Sequence, residues 1–191
     1  MAGEQFNRGK FKELTLYLSR ESIKAGDEGF GMVKLNKLLY RADFEAYRLL
    51  GHPLTGETYE KQEFGPVARD LPIVLDELAS DHRFYWQLIP SGPHTRKVPT
   101  VPEDEEAQPD MDLFSDEEKQ IIHRVLTELA EYGGKAVSDW SHEQSSGWQA
   151  AKIGDEIPYG SAFVSTEKLS DAQMERALKR SRDENWAAIR P

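Results

Sequence analysis

The sequence predicts an α+β fold that is mostly helical, with about six helices and a small antiparallel β-sheet in a single domain. Apolar residues recur at helical spacing in several segments, and two capping boxes mark helix starts. Between these helices, residues 58–64 and 83–101 change to the alternating, aromatic-rich pattern of strands. A length of 191 residues is compatible with one core, and we expect one domain over residues 1–191.

The first two helices are predicted at residues 8–25 and 33–50. In the second, Leu35, Leu38 and Leu39 form an apolar stripe that continues through Ala42, Ala46 and Leu49. Gly51 ends this helix, and Pro53 follows it. The cationic residues of the helix fall opposite the stripe; they are Lys34, Lys37, Arg41 and Arg48.

A small sheet is predicted after the second helix. Residues 58–64 form a strand that leads into a turn at Gly65-Pro66, and a short helix follows at 72–79. Residues 83–89 and 96–101 form a hairpin around Ser91-Gly92-Pro93. Tyr85 and Trp86 then point to opposite faces of their strand.

The second half of the chain begins with an acidic loop at residues 103–112. Ser115 and Glu118 form a capping box that starts a helix ending at Gly133-Gly134. A short helix at 135–142 comes next, followed by an irregular stretch that includes Trp148. Ser170 and Gln173 form the second capping box and open a last helix at 170–184.

Composition and charge exclude several classes of function. The chain has no cysteine, so it holds no disulfide, thiolate metal site or cysteine nucleophile. Its net charge of -10 leaves no basic face, and we expect no direct binding of nucleic acid. The N-terminus lacks the apolar core of a signal peptide and no apolar run is long enough to cross a bilayer, so we expect a cytoplasmic protein without membrane contact.

The titratable residues do not form a recognisable catalytic motif. His142-Glu143 begins like a zinc-protease helix, but Ser146 stands where the second histidine belongs. Asp43 and Glu63 are an imaginable acid/base pair, although nothing in the sequence brings them together. We therefore expect no catalytic residue, metal or cofactor; a hydrolase built around Asp139, His142 and Glu143 is the alternative.

The segment KLNKLLYRADFEAYRLLGHPLTGETYEKQEFGPVARDL closely resembles the signature of the Panacea domain, the SocA-like antitoxin domain also called GepA-like and phage-associated. A Ser-His pair, a Trp and a Gly-x-x-Ile-Pro segment downstream also fit this family. The resemblance covers residues 33–158 best, with the helices at 8–25 and 170–184 outside it. The matching motif residues include Lys34, Leu38, Leu39, Tyr40, Asp43, Gly56, Tyr59, Phe64, Gly65, Pro66, Val67, His142 and Trp148.

The resemblance implies a helix-rich α+β domain without known catalysis, which acts as the antitoxin of a two-gene toxin–antitoxin module, often in phage defence. It implies binding to a cognate toxin protein encoded by the adjacent gene. The alternative within the family is an adaptor that delivers the toxin to a protease. The motif residues then have structural roles: the leucines pack the core, Gly65-Pro66 sets a turn, and Tyr40, Asp43 and Tyr59 form a buried polar network.

Toxin specificity is expected on the surface outside the motif. Exposed aromatic residues are favoured anchors at protein interfaces, because they bury much area at little entropic cost. The alternative is that other helices cover these side chains. We predict that the partner-binding residues are Phe44, Tyr47, Arg48, Tyr85 and Trp86, and that the loop at 103–112 contributes by presenting carboxylates to a basic nucleotide or tRNA site on the toxin.

Overall fold

The computed structural model describes residues 5–91 and 94–166, together with residues 172, 175 and 176. This part of the chain is mostly helical and has two antiparallel two-stranded sheets, which confirms the α+β class. The helices are α1 (Arg8–Lys24), α2 (Met32–Leu50), α3 (Leu71–Ser80), α4 (Asp116–Leu129), α5 (Gly134–Gln144) and α6 (Ser146–Ala150). The strands are β1 (Tyr59–Gln62), β2 (Gly65–Ala68), β3 (Tyr85–Ser91) and β4 (His94–Thr100).

Helix α2 lies at the centre of the fold. It contacts α1, α4, α5, β2 and the 3₁₀ turn at Tyr159–Phe163. The predicted apolar stripe is buried from Leu35 to Ala46, but Leu49 at its end is 44% exposed. Lys34 and Lys37 are each only 1% exposed, so the prediction of a cationic side facing away from the core is wrong for these two lysines. The reason is that neighbours cover α2 on several sides rather than one.

Strands β1 and β2 form a hairpin, of which only the first strand was predicted. Tyr59 pairs with Ala68 and Gln62 pairs with Gly65, so the chain reverses at Glu63-Phe64. Gly65-Pro66 therefore begins β2 rather than forming the turn. The edge of β1 is completed by a distant segment, since the Ile157 amide donates to the Tyr59 carbonyl at 2.7 Å and the Lys61 amide donates to the Asp155 carbonyl at 2.9 Å.

Strands β3 and β4 form the second hairpin close to the predicted limits. Tyr85 pairs with Thr100 and Ile89 pairs with Arg96. Side chains alternate between the two faces of a strand, so the inner face carries Ile89 and Val98, which pack on the core. The outer face carries Trp86 and Leu88. The hairpin rests on α1 and α2 through β4.

The predicted capping box at the start of α4 is confirmed. The Ser115 hydroxyl accepts from the Glu118 amide at 3.3 Å, and the Glu118 carboxylate accepts from the Ser115 amide at 2.8 Å. The stretch predicted to be irregular after α5 contains α6, which the small residues Ser146 and Gly147 concealed. The helix predicted at 170–184 lies outside the described residues, apart from three positions that are helical.

One cluster of buried hydrophobic side chains joins these elements. It extends from Phe11 in α1 to Ile157, which follows α6, and includes residues of α2, α3, α4 and α5. Among the described residues, no helix is both long enough and apolar enough to cross a membrane.

Candidate functional site

The motif carboxylate Asp43 is the centre of a buried network of hydrogen bonds. It lies on α2 and is completely buried. It accepts from the Thr55 amide at 2.7 Å, from the Thr55 hydroxyl at 2.5 Å and from the Tyr59 hydroxyl at 2.8 Å. Burial raises the pKa of Asp43 to about 6, although these donors oppose the rise. The network holds the loop after α2 against the helix. Through Tyr59 it also holds β1 against the helix.

Tyr40 belongs to a neighbouring contact rather than to the Asp43 network itself, so this part of the predicted polar network is corrected. Its hydroxyl lies 2.6 Å from the Ser145 hydroxyl, which caps α6 by accepting from the Trp148 amide. Burial raises the pKa of Tyr40 to about 12. The Tyr40 ring packs against Tyr59 with ring centroids 5.4 Å apart. Tyr40 therefore joins α2 to the start of α6, more than 100 residues further along the chain.

Lys37 is a buried amine with few polar neighbours. Its Nζ donates to the Pro66 carbonyl at 2.9 Å, and burial lowers its pKa to about 7. Gly65, at φ 103°, leaves the space that this side chain occupies. A Cβ at Gly65 would lie 2.5 Å from Lys37 Cε and 2.6 Å from the Ser141 hydroxyl. Gly65 and Pro66 thus shape the contact of β2 with α2 rather than a turn.

Lys34 connects α2 and the α1–α2 connection to the end of α4. Its Nζ pairs with Asp27 at 2.5 Å and donates to the carbonyls of Ala130 and Tyr132 at 3.0 and 2.8 Å. The remaining motif residues of α2, Leu38 and Leu39, are buried in the core.

Three motif residues of the loop and first hairpin have different environments. Gly56 has φ 71°, and a Cβ there would lie 2.8 Å from the Gln5 carbonyl oxygen, so glycine lets the N-terminal segment pass closely. Val67 is half-buried in β2. Phe64, at the tip of the β1–β2 hairpin, is 63% exposed.

His142 and Trp148 form a stacked pair, with ring centroids 3.8 Å apart and planes at 6°. Trp148 Nε1 donates to the Gln62 carbonyl at 3.0 Å, and the Lys61 ammonium lies 4.1 Å from the Trp148 ring centroid. Burial, followed by the positive charge of Lys37, lowers the pKa of His142. Asp139, its proposed catalytic partner, pairs with Lys135 at 2.6 Å. This geometry anchors β1 to α6 and does not assemble a nucleophile with a base.

The predicted contact surface at the end of α2 is corrected for Phe44. That side chain is only 5% exposed, because its ring packs on Tyr40 at 4.1 Å and on Tyr159 at 4.7 Å. Tyr47 is half-buried against Tyr159 and Phe163. Arg48 is more open, but its guanidinium pairs with Glu45 at 2.7 Å.

The second hairpin has several exposed apolar and aromatic side chains. Tyr85 is 49% exposed and Trp86 is 39% exposed, as their prediction as partner contacts requires. Leu88, at 62% exposure, lies on the same face as Trp86 and was missed, although its spacing of two residues was the available signal. Trp86 and Leu88 together are called the hairpin surface, whereas Tyr85 lies on the opposite face of β3.

An acidic segment, residues 103–118, begins three residues after the end of β4. It holds nine of the 34 acidic residues and none of the 24 basic ones, so the rest of the chain is nearly neutral, with 25 acidic and 24 basic residues. It is held in place at several points: Ala107 and Phe114 are buried, and the Glu13 carboxylate accepts from the Asp110 amide at 2.8 Å. Arg83, next to β3, donates to the Gln108 carbonyl at 2.8 Å. The segment therefore adjoins the base of the hairpin surface.

Comparison with known protein families matches residues 35–149 to the family described as Antitoxin SocA-like, Panacea domain. No curated protein and no solved structure matches the chain significantly. The matched range runs from α2 into α6, and so contains the Asp43 network, both hairpins, the acidic segment and the His142–Trp148 pair. Because this range covers more than half of the 191 residues, the chain belongs to the family of SocA-like antitoxins with a Panacea domain.

Proposed function

We propose that this chain is the antitoxin of a two-gene module and neutralises the toxin encoded by the adjacent gene by binding it directly. The family match carries this proposal. The environment of the motif residues supports it. Asp43, Tyr40 and Lys37 all make buried contacts that hold the fold together. A binding function therefore has to use surface residues outside these contacts.

The hairpin surface is the best-supported place for that contact. Trp86 and Leu88 are exposed side chains on the outer face of a short hairpin, at 39% and 62% exposure. Burial of such side chains in an interface yields about 25 cal/mol for each Å² of apolar area removed from water. Aromatic side chains also serve most often as the energetic centre of an interface.

The acidic segment supports a basic face on the toxin. Glu103, Asp104, Glu105 and Glu106 are all exposed, and the 3₁₀ turn at Glu105–Ala107 holds them in one local arrangement. Like charges that are fixed close together raise the association rate of an oppositely charged partner. A toxin that acts on tRNA or nucleotides needs such a basic face for its substrate, and the segment would then compete for that face.

Co-expression tests the proposal. The product of the adjacent gene is expected to arrest growth alone and to be harmless together with this chain, while its intracellular level, followed by immunoblot, stays constant. Leu88→Ala and Trp86→Ala are expected to weaken the rescue and the affinity of the purified complex. Ile73→Ala, which removes an apolar side chain that is 53% exposed on α3, is the matched control.

Two results would contradict the proposal. One is a neighbouring gene whose product is harmless or does not bind this chain. The other is a toxin whose level falls on co-expression and recovers when a cellular protease is removed, since that behaviour belongs to an adaptor. Thermal melting of each variant shows whether its fold is intact.

A further inference from the structure

A groove of about 470 Å³ lies on the side of the second hairpin opposite to Trp86 and Leu88. It is bounded by the inner face of the hairpin and by the connection between α1 and α2. Half of its ten lining residues have apolar side chains, and its volume is within the range of sites that bind small molecules or a few side chains. The apolar wall residues are Ile23, Phe30, Ile89, Pro90 and Val98.

Arg96 is a cationic residue of this groove, and no described residue provides it with an acceptor. Its aliphatic stem crosses Gly31, where a Cβ would lie 3.6 Å from Arg96 Cγ and Cδ. Its Nε is buried without a hydrogen-bond partner, and its guanidinium makes no ion pair with any described residue. Seven other described arginines pair with a carboxylate, namely Arg8, Arg20, Arg41, Arg48, Arg69, Arg83 and Arg124.

Neither of the two acidic residues of the groove pairs with Arg96. Asp27 is occupied, because it pairs with Lys34 and accepts from the Gly29 amide at 2.9 Å. Glu28 is exposed at the rim and lies beyond ion-pair distance of Arg96. A carboxylate can receive two parallel, charge-assisted hydrogen bonds from a guanidinium. The terminal amino groups of Arg96 are the donors open to it, since only its Nε is buried without a partner.

We infer that the groove binds a segment of the toxin that presents an aspartate or glutamate side chain beside an apolar one, with Arg96 pairing the carboxylate. This inference rests on the proposed antitoxin function. Arg96 supplies the charge complementarity, and Ile89 and Val98 supply the apolar wall. Gln87 also lines the groove, and Tyr85 continues the same face of β3 beyond it, so an extended chain can follow the hairpin.

Affinity measurements with the purified toxin, by calorimetry, test the inference. Arg96→Gln is expected to weaken binding at least tenfold, because it removes the guanidinium and keeps a polar side chain. Lys97→Gln is the matched control: it removes the same charge from the next residue of β4, which is exposed and lies on the opposite face, and we expect a change of less than twofold. Glu28→Gln removes a repulsive charge at the rim and is expected to tighten binding.

The outcomes separate this inference from the proposed function. If the complex forms and Arg96→Gln binds as tightly as Lys97→Gln, the groove is not used and the inference is overturned, while the antitoxin function stands. If Arg96→Gln does not fold, which its melting curve shows, the Glu28→Gln variant decides, and unchanged or weaker binding overturns the inference. If the unmodified chain does not bind the toxin at all, the proposed function and the inference fall together.

Discussion

Replacing Lys37 by methionine is expected to stabilise the fold at neutral pH, and the gain should shrink as the pH rises. The Lys37 amine is buried, and its pKa is lowered from 10.5 to about 7. Below pH 7, folding therefore has to bury a charged ammonium. Above pH 7, folding buries the neutral amine, and the lysine releases a proton when the chain folds. A basic group with a lowered pKa therefore destabilises most at low pH, and its penalty fades between pH 7 and 10.5.

The magnitude follows from the two pKa values. Relative to a lysine with an unshifted pKa, this shift costs about 4 kcal/mol at pH 7 and about 2 kcal/mol at pH 9. Methionine has a similar length and no charge, but it leaves the Pro66 carbonyl without its donor, which costs about 1–3 kcal/mol at either pH. We expect Lys37→Met to gain about 1–3 kcal/mol at pH 7 and to be close to neutral at pH 9.

Urea unfolding at pH 7 and pH 9 measures this difference. The hydrogen bond to the Pro66 carbonyl is lost at both pH values, so its cost cancels in the comparison. The change of about 2 kcal/mol in the stability difference between Lys37→Met and the unmodified chain therefore reports the titration of the buried amine alone. Lys152→Met, at an exposed lysine, is the control and should show no such change. The reasoning is refuted if the stability difference between Lys37→Met and the unmodified chain is the same at both pH values.

Two further changes test the packing and the surface. Gly65→Ala places a Cβ 2.5 Å from Lys37 Cε at φ 103°, and should lower the free energy of unfolding by about 2–4 kcal/mol in urea titrations. Gly26→Ala, at φ 70° in open space, is the control and should lower it by only about 1 kcal/mol. Equal losses for the two variants would contradict a clash at Gly65. Neutralising residues 103–106 by Glu→Gln and Asp→Asn should slow association with the toxin about tenfold at low salt in stopped-flow experiments. Equal association rates would show that the charge is not used. Deleting residues 103–112 is a poorer test, because it also removes the buried Ala107 and the Asp110 contact with Glu13.

Helical periodicity and end signals determined much of the fold. The leucine stripe of α2, its end at Gly51 and the capping box of α4 depend on residues within one or two turns of each other, so local sequence contains the information. The alternating pattern of β3 likewise predicted the hairpin. The same motif residues identified the family before any contact was known.

Helix α2 shows where that information stops. A hydrophobic stripe tells which side of a helix faces the core when the other side faces water. Elements that come from residues before and after α2 cover several sides of it, and Phe44, Lys34 and Lys37 are consequently buried although they lie off the stripe. Nothing local distinguishes these positions from exposed ones.

The sequence by itself determined the helical class, the central helix, the second hairpin and the family, because each follows from neighbouring residues or from a matching motif. Only the tertiary structure decided which polar groups are satisfied. The Ser145 hydroxyl beside Tyr40 and the two carbonyls that accept from Lys34 are about 100 residues away, and the edge of β1 is closed by residues 154–157. It also decided that Arg96 has no carboxylate partner among the described residues, since the pairing of a charged side chain depends on which distant segments fold beside it.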